Sequence, residues 1–260
     1  RKFKKWFGKD YGSLTNSGSS ANLLMVSALT SKRLYNFQKG DKVITPVAGF
    51  PTTINPILQN GLEPVFVDIE IDTLNINLDQ FEQAAKNGAK AVIFAHVLGN
   101  PPNMDRVMEI VSENNLVLLE DSCDALGSTY NGSLLGSFGD FASCSFYPAH
   151  HITMGEGGFV ASKTKESDTV IKALRDWGRG CYCQGKAASC LKNGTCKKRF
   201  SNWIPSLPDV VFDHKYIYDE IGYNLKPLDL QASIGLCQIK KLEEIISIRK
   251  RNYNTYIDTF

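Results

Sequence analysis

The chain has 260 residues, 43% of them apolar and 22% charged, with a formal net charge of +2. That composition describes a soluble globular chain with ample core, and its near-balanced charge argues against nucleic acid as the main partner. No apolar run approaches the roughly 20 residues a membrane span needs. The basic start, Arg-Lys-Phe-Lys-Lys-Trp, lacks the apolar stretch of a secretory signal, so the expected location is the cytoplasm. The sequence opens without Met and closes inside a helical pattern, and it reads as a fragment lacking an N-terminal segment and a C-terminal domain.

Residues 1–7 place Phe3, Trp6 and Phe7 on one side and read as the end of an amphipathic helix. The small polar run 13–22 then leads into a helical pattern over 23–34. Small residues before a helix leave N–H groups free for a phosphate, although an N-cap by Ser17 or Ser19 explains them as simply. Residues 42–45 read as a strand, 47–50 as a turn holding Phe50, and 51–59 as a helix. On its own Phe50 would be core. A strand at 63–68, a helix at 77–85 under an Asn77 cap, a strand at 91–97 and a helix at 106–113 follow. His96, near the end of its strand, reads as structural more readily than as functional.

Residues 116–121 form a buried strand running into acid at Glu120-Asp121. Two further apolar runs, 140–145 and 158–162, enclose a glycine-rich turn that can bring backbone close to a ligand. A helix at 167–177, an irregular loop at 179–200 and one long helix from 229 to 260 complete the pattern, the last with Leu230, Ile234, Leu242 and Ile245 apolar. Strand–helix alternation of this kind implies an α/β fold, a mostly parallel sheet flanked by helices, with its site at the strands' carboxyl ends. Asp121 stands at such an end. It could pair with a protonated ring nitrogen or simply cap the next helix.

The seven cysteines are many for this length, and four fall within 181–196. Without a secretory signal a metal site is the better reading than a disulfide framework. Cys144 and Cys237 lie in apolar contexts and read as inert core.

The enclosed turn, Ser145-Phe-Tyr-Pro-Ala-His150-His151-Ile-Thr-Met-Gly-Glu-Gly-Gly158, resembles the signature of the sugar aminotransferase family of pyridoxal-phosphate enzymes, roughly Ser-Phe-x-x-x-Lys-x-x-x-x-Gly-Glu-Gly. The family's lysine holds the cofactor as an imine, which His150 cannot form. The resemblance therefore implies a proton-transfer role for His150 beside a non-covalently held pyridoxamine phosphate. It also implies the type I, aspartate aminotransferase-like fold of pyridoxal-phosphate-dependent transferases. Residues 1–228 would be the large cofactor-binding domain, and 229–260 a linking helix toward a small domain. Ser17-Gly-Ser-Ser-Ala resembles the family's phosphate-gripping Ser-Gly-Thr-Ala, which assigns Ser19 and Ser20 to the cofactor phosphate. Phe50 would stack on the ring, Asp121 would face the ring nitrogen, and Ser145 would contact the cofactor. Gly222-Tyr-Asn224 resembles a segment whose Asn reaches the phosphate in the partner subunit of a homodimer, which assigns Asn224 to the cofactor, with a local turn cap as the alternative. His151 is the alternative base.

The exchange of Lys for His narrows the resemblance to the sugar 3-dehydratases. One kind is a stand-alone, metal-free enzyme of GDP-sugars. The other is an iron–sulfur dehydrase that makes CDP-3,6-dideoxyhexoses with a separate reductase. It holds a 2Fe–2S cluster with one cysteine after the cofactor Asp and three in a loop after Arg-Asp-Trp-Gly-Arg. Cys123, Cys181 and Cys183 match that pattern, as does Arg175-Asp-Trp-Gly-Arg179. The fourth ligand departs from the family's spacing. The context Thr195-Cys196-Lys-Lys-Arg-Phe200 favours Cys196, with Cys190 as the alternative, and four thiolates would also suit zinc. The resemblance thus implies C3 dehydration of a CDP-4-keto-6-deoxyhexose for O-antigen synthesis, coupled through the cluster to a flavin iron–sulfur reductase. A metal-free dehydratase and a silent scaffold that binds a nucleotide sugar are the alternatives. Residues 163–199 carry 10 Lys/Arg against 3 Asp/Glu, a surface for the nucleotide diphosphate, for an acidic reductase or for solvent alone.

Overall fold

A computed structural model describes residues 3–180, 199–201 and 204–260. The long apolar runs become strands buried on both faces, as a sheet covered by helices on both sides requires. In chain order the strands are β1 (Tyr11–Thr15), β2 (Lys42–Pro46), β3 (Glu63–Val67), β4 (Ala91–Ala95), β5 (Val117–Asp121), the short β6 (Thr129–Tyr130) and β7 (Ser133–Leu134), β8 (Phe141–Ser145) and β9 (Gly158–Ser162). Helices α1 (Gly18–Thr30), α2 (Pro51–Gln59), α3 (Leu78–Lys86), α4 (Met104–Glu113) and α5 (Lys165–Arg175) connect them, and α6 (Asp229–Gln238) and α7 (Leu242–Thr259) follow.

Among the described residues seven strands form one sheet in the order β1-β9-β8-β5-β4-β2-β3. β9 pairs antiparallel with both of its neighbours, while β8, β5, β4, β2 and β3 run parallel to one another. The two-residue side-chain period sorts the core. Val43, Ile93 and Leu119 face α1, α2 and α5. Their neighbours Ile44, Val92 and Leu118 face α3 and α4. At the β9 end, Ala142, Cys144, Phe159 and Ala161 pack with Phe3, Phe7, Phe146 and Leu242.

Local chemistry sets the helix starts. The Ser17 hydroxyl accepts from the Ser20 N–H at 3.0 Å, the Asn77 side chain from Gln80, the Asn103 side chain from Arg106, and the Thr164 hydroxyl from Ser167. Pro51 opens α2 under Phe50. Two close approaches bring the start of α1 against the sheet. A Cβ on Gly158 would lie 2.1 Å from the Ser17 carbonyl oxygen, and one on Gly18 would lie 2.5 Å from the Ser145 Cβ.

Three expectations are corrected, and one strand that the sequence reading did not assign is added. The N-terminal helix is a single 3₁₀ turn, Lys4–Phe7, ended by Gly8 in the left-handed region. Residues 11–15 form a strand, which the polar sequence Tyr-Gly-Ser-Leu-Thr conceals. The long C-terminal helix is two helices. Lys240 and Lys241 follow the end of α6, and Glu243 and Glu244 open α7, charges that suit a helix end followed by a new start. Cys237 is exposed in the chain, whereas Cys144 is buried as expected. No described helix is long and apolar enough to cross a membrane.

Candidate active site

The strands β1, β2, β4, β5 and β8 end on one edge of the sheet, and the connections leaving that edge enclose a cavity of about 120 Å3. Its floor is Asp121, the last residue of β5 and only 4% exposed. Among the described residues its carboxylate accepts four hydrogen bonds. Oδ2 takes the Asn22 Nδ2 and the Thr53 Oγ1, each at 2.7 Å. Oδ1 takes the Ser143 Oγ and the Cys123 backbone N–H, each at 3.2 Å. All four donors are neutral. None of them brings a positive charge, so a cation placed in the cavity would be the carboxylate's first ionic partner among the described residues.

His150 stands on the cavity wall, with its side chain 22% exposed. Its Nδ1 lies 3.1 Å from Asp124 Oδ1, which leaves Nε2 as the ring position free of that contact. The hydrogen bond from His150 holds the Asp124 carboxyl below the usual carboxylate range, against the effect of partial burial. Asp124 reaches the same edge because the chain turns tightly after β5, where the Ala125 N–H bonds to the Ser122 carbonyl. His151 points elsewhere, onto a separate cavity lined by Asp124 and Arg249. Burial first, and then the Arg249 charge, bring its pKa down to about 4, so its ring is neutral near pH 7.

Phe50 is 66% exposed at the start of α2 and lines the cavity, so it is not a core residue. Ser19 also lines it, with its hydroxyl bonded to Thr52 at 3.0 Å. Ser20 is turned to Ser17, whose hydroxyl donates to it at 3.0 Å. Ser145, at the end of β8, lines the wall and accepts from the Tyr147 N–H at 3.3 Å. Asn224 is exposed and apart from this cavity. It bridges to Asp176, and its Oδ1 accepts from Lys226 at 2.7 Å. His96 is structural. Buried at the end of β4, it contacts Glu120 Oε2 at 3.0 Å, while the Glu120 carboxylate takes the N–H groups of Gly136 and Gly139.

Cys123 lines the cavity with its Sγ 3.8 Å from the Ser143 Oγ. Burial, and then the Asp121 charge, push its thiol well above the ordinary value. Cys181, Cys183, Cys190 and Cys196 lie outside the described residues. Among the described residues no three His, Cys, Asp or Glu side chains gather where a metal could sit.

The sequence reading missed Asn22, Ser143 and Asp124 as site residues and gave Thr53 no role of its own. One signal was available. Asp124 follows Asp121 by three residues, within reach of one tight turn.

The family model "DegT/DnrJ/EryC1/StrS aminotransferase family" matches residues 1–260. The chain is 50% identical over 256 residues to the lipopolysaccharide biosynthesis protein RfbH of Salmonella typhimurium, covering 98% of this chain and 57% of that protein. It is 49% identical to the dTDP-4-dehydro-2,6-dideoxy-D-glucose 3-dehydratase of Saccharopolyspora spinosa, covering 96% of this chain and 54% of that enzyme. The chain thus spans little more than half the length of these relatives. The solved structure of the E. coli GDP-4-keto-6-deoxy-D-mannose-3-dehydratase with bound hydrated PLP superposes with a TM-score of 0.84 at 33% identity, over 99% of this chain and 62% of that one. The mostly parallel sheet flanked by helices is that of the type I pyridoxal-phosphate-dependent enzymes. The chain belongs to the DegT/DnrJ/EryC1/StrS aminotransferase family.

Proposed function

We propose that the whole protein is a nucleotide-sugar 3-dehydratase that works with non-covalently held pyridoxamine phosphate. The observation that carries this reading is His150, which stands where the family signature has its imine-forming lysine. It is oriented by Asp124 across a cavity floored by a carboxylate with only neutral donors.

The residues present fit the cofactor. Asp121 supplies the anion that a protonated ring nitrogen needs, and Phe50 offers an exposed ring face at the cavity. Ser19 and the opening N–H groups of α1 would offer the phosphate an anion cradle, and Ser20, now engaged with Ser17 through its N–H and its hydroxyl, would join it by turning its side chain. Ser145 closes the wall, and Asn224, which lies away from its own cavity, would serve a second copy in a homodimer. When bound, the cofactor supplies an electron sink that lets a 4-keto sugar lose its C3 hydroxyl. His150 Nε2 takes the proton whose removal starts that loss, and Asp124 stabilises the resulting imidazolium. The proton so held is then available to the departing hydroxyl. Asp124 is the positioning residue in this scheme. The neutral, half-buried His151 faces the separate cavity and takes no part in this transfer.

The names of the relatives support the reaction class, since two are 3-dehydratases of 4-keto deoxysugars and a third acts in lipopolysaccharide biosynthesis. We extend the reading to a CDP-4-keto-6-deoxyhexose as substrate, to a 2Fe–2S cluster on Cys123, Cys181, Cys183 and Cys196, and to a flavin iron–sulfur reductase as partner. The match of Cys123, Cys181 and Cys183 to the dehydrase pattern, with the sequence context of Cys196, supports the cluster and hence the reductase, and the CDP sugar rests on the same resemblance. The fit to the E. coli GDP-sugar dehydratase favours a second reading, in which the cysteines hold no cluster. The test is an absorbance spectrum with iron and sulfide assays on the full-length protein, purified without oxygen and given pyridoxamine phosphate. The first reading expects a bound cofactor and about two irons and two sulfides per chain. A bound cofactor with zinc or no metal selects the second, and a folded protein that binds no cofactor removes both.

A further inference from the structure

Asn22 sits in the second turn of α1, 2% exposed, and lines the cavity beside Asp121. Its amide nitrogen donates to Asp121 Oδ2 at 2.7 Å. That bond fixes which end of the amide is which, because the reverse orientation would press oxygen against a carboxylate. The other end, Asn22 Oδ1, is buried and has no hydrogen-bond partner. Buried acceptors are almost always satisfied, so an orphan on the wall of a cavity calls for a donor from whatever fills it. Of the buried polar side-chain atoms left without a partner among the described residues, this is the one whose residue lines this cavity.

We propose that Asn22 contacts the cofactor directly, as a second acceptor beside Asp121 that makes this cavity select a protonated ring nitrogen. The proposal rests on the reading of the cavity as a pyridoxamine phosphate site. Two acceptors side by side, one charged and one neutral, attract an N–H and repel the lone pair of an unprotonated ring. The amide therefore has two tasks. Its nitrogen holds the Asp121 carboxylate in place, and its oxygen reads the ring's protonation state. Thr53 differs, because it donates to the same Asp121 oxygen but does not line the cavity. It positions Asp121 without offering an acceptor to the ligand.

The test compares two ligands on the full-length protein, pyridoxamine phosphate and its analogue with C–H in place of the ring nitrogen. Affinities are read by fluorescence or calorimetric titration. The wild type is expected to prefer pyridoxamine phosphate clearly. Asn22→Leu should weaken pyridoxamine phosphate by roughly tenfold, leave the analogue nearly unchanged, and so shrink the preference by about that factor. Thr53→Val should keep most of the preference. Asn22→Ala, which keeps helix propensity, repeats the measurement should the leucine variant fail to fold. An Asn22 variant that keeps the wild-type preference would overturn the proposal. A wild-type protein that binds neither ligand would remove the cofactor reading itself, and this inference with it.

Discussion

The two ends of the cavity are built differently. Asp121, at the floor, is almost wholly buried and receives donors from α1, α2, β8 and the turn after β5. His150, on the wall, is tied through its ring to one carboxylate, and that carboxylate is 52% exposed. Over-determined contacts make the floor rigid before any ligand arrives, which is what binding a flat ring in one orientation requires. A singly tethered imidazole can shift between proton positions at little cost, which is what proton transfer requires. Damage to the floor should therefore appear in cofactor affinity and stability, and damage to the wall in turnover.

The largest expected effect is His150→Asn. It should cut turnover by about 10²–10⁴-fold while leaving pyridoxamine phosphate affinity within about threefold, measured by product assay and titration on the same preparation. Loss of affinity equal to the loss of turnover would erase the distinction between floor and wall. Next is Asp121→Ala, which strips the partner from four donors at once. It should abolish cofactor binding and lower stability by several kcal/mol, read as a drop in the thermal midpoint. Asp124→Asn should lower turnover by roughly tenfold to a hundredfold with affinity unchanged, because the imidazolium loses its counter-charge.

The smallest effect concerns pH. The folded pKa of His151 is depressed to about 4 from an ordinary value near 6.5. The unfolded chain thus binds this proton more readily than the folded one, so stability is full above about pH 6.5 and is lost as pH falls toward 4. His151→Gln should flatten that part of the stability–pH curve, measured by denaturant titration at several pH values, with little change in turnover at pH 7.

The floor was only half legible in the sequence. Asp121 and His150 stand at or near the ends of apolar runs and announce themselves. Asn22 and Thr53 lie 99 and 68 residues from the carboxylate they hold, and only the sheet order brings them there. Ser143 is hidden inside the strand pattern of β8, where alternation says which face a residue takes but not what waits on it. The fold itself was readable for the central strands, whose apolar runs leave one interpretation. It was not readable for β1, whose composition looks like loop, nor for the break between α6 and α7, where apolar spacing continues through a change of helix.

Washout of deuterium from the C4′ carbon of labelled pyridoxamine phosphate puts the proton-transfer role of His150 to direct trial. It is run on full-length protein with the 4-keto sugar nucleotide present, comparing the wild type with His150→Asn. Rapid loss of label is expected in the wild type. Retention is expected in the variant, which still binds the cofactor. Equal washout rates in the two proteins would show that another group moves the proton, and would contradict the assignment of His150 as the base.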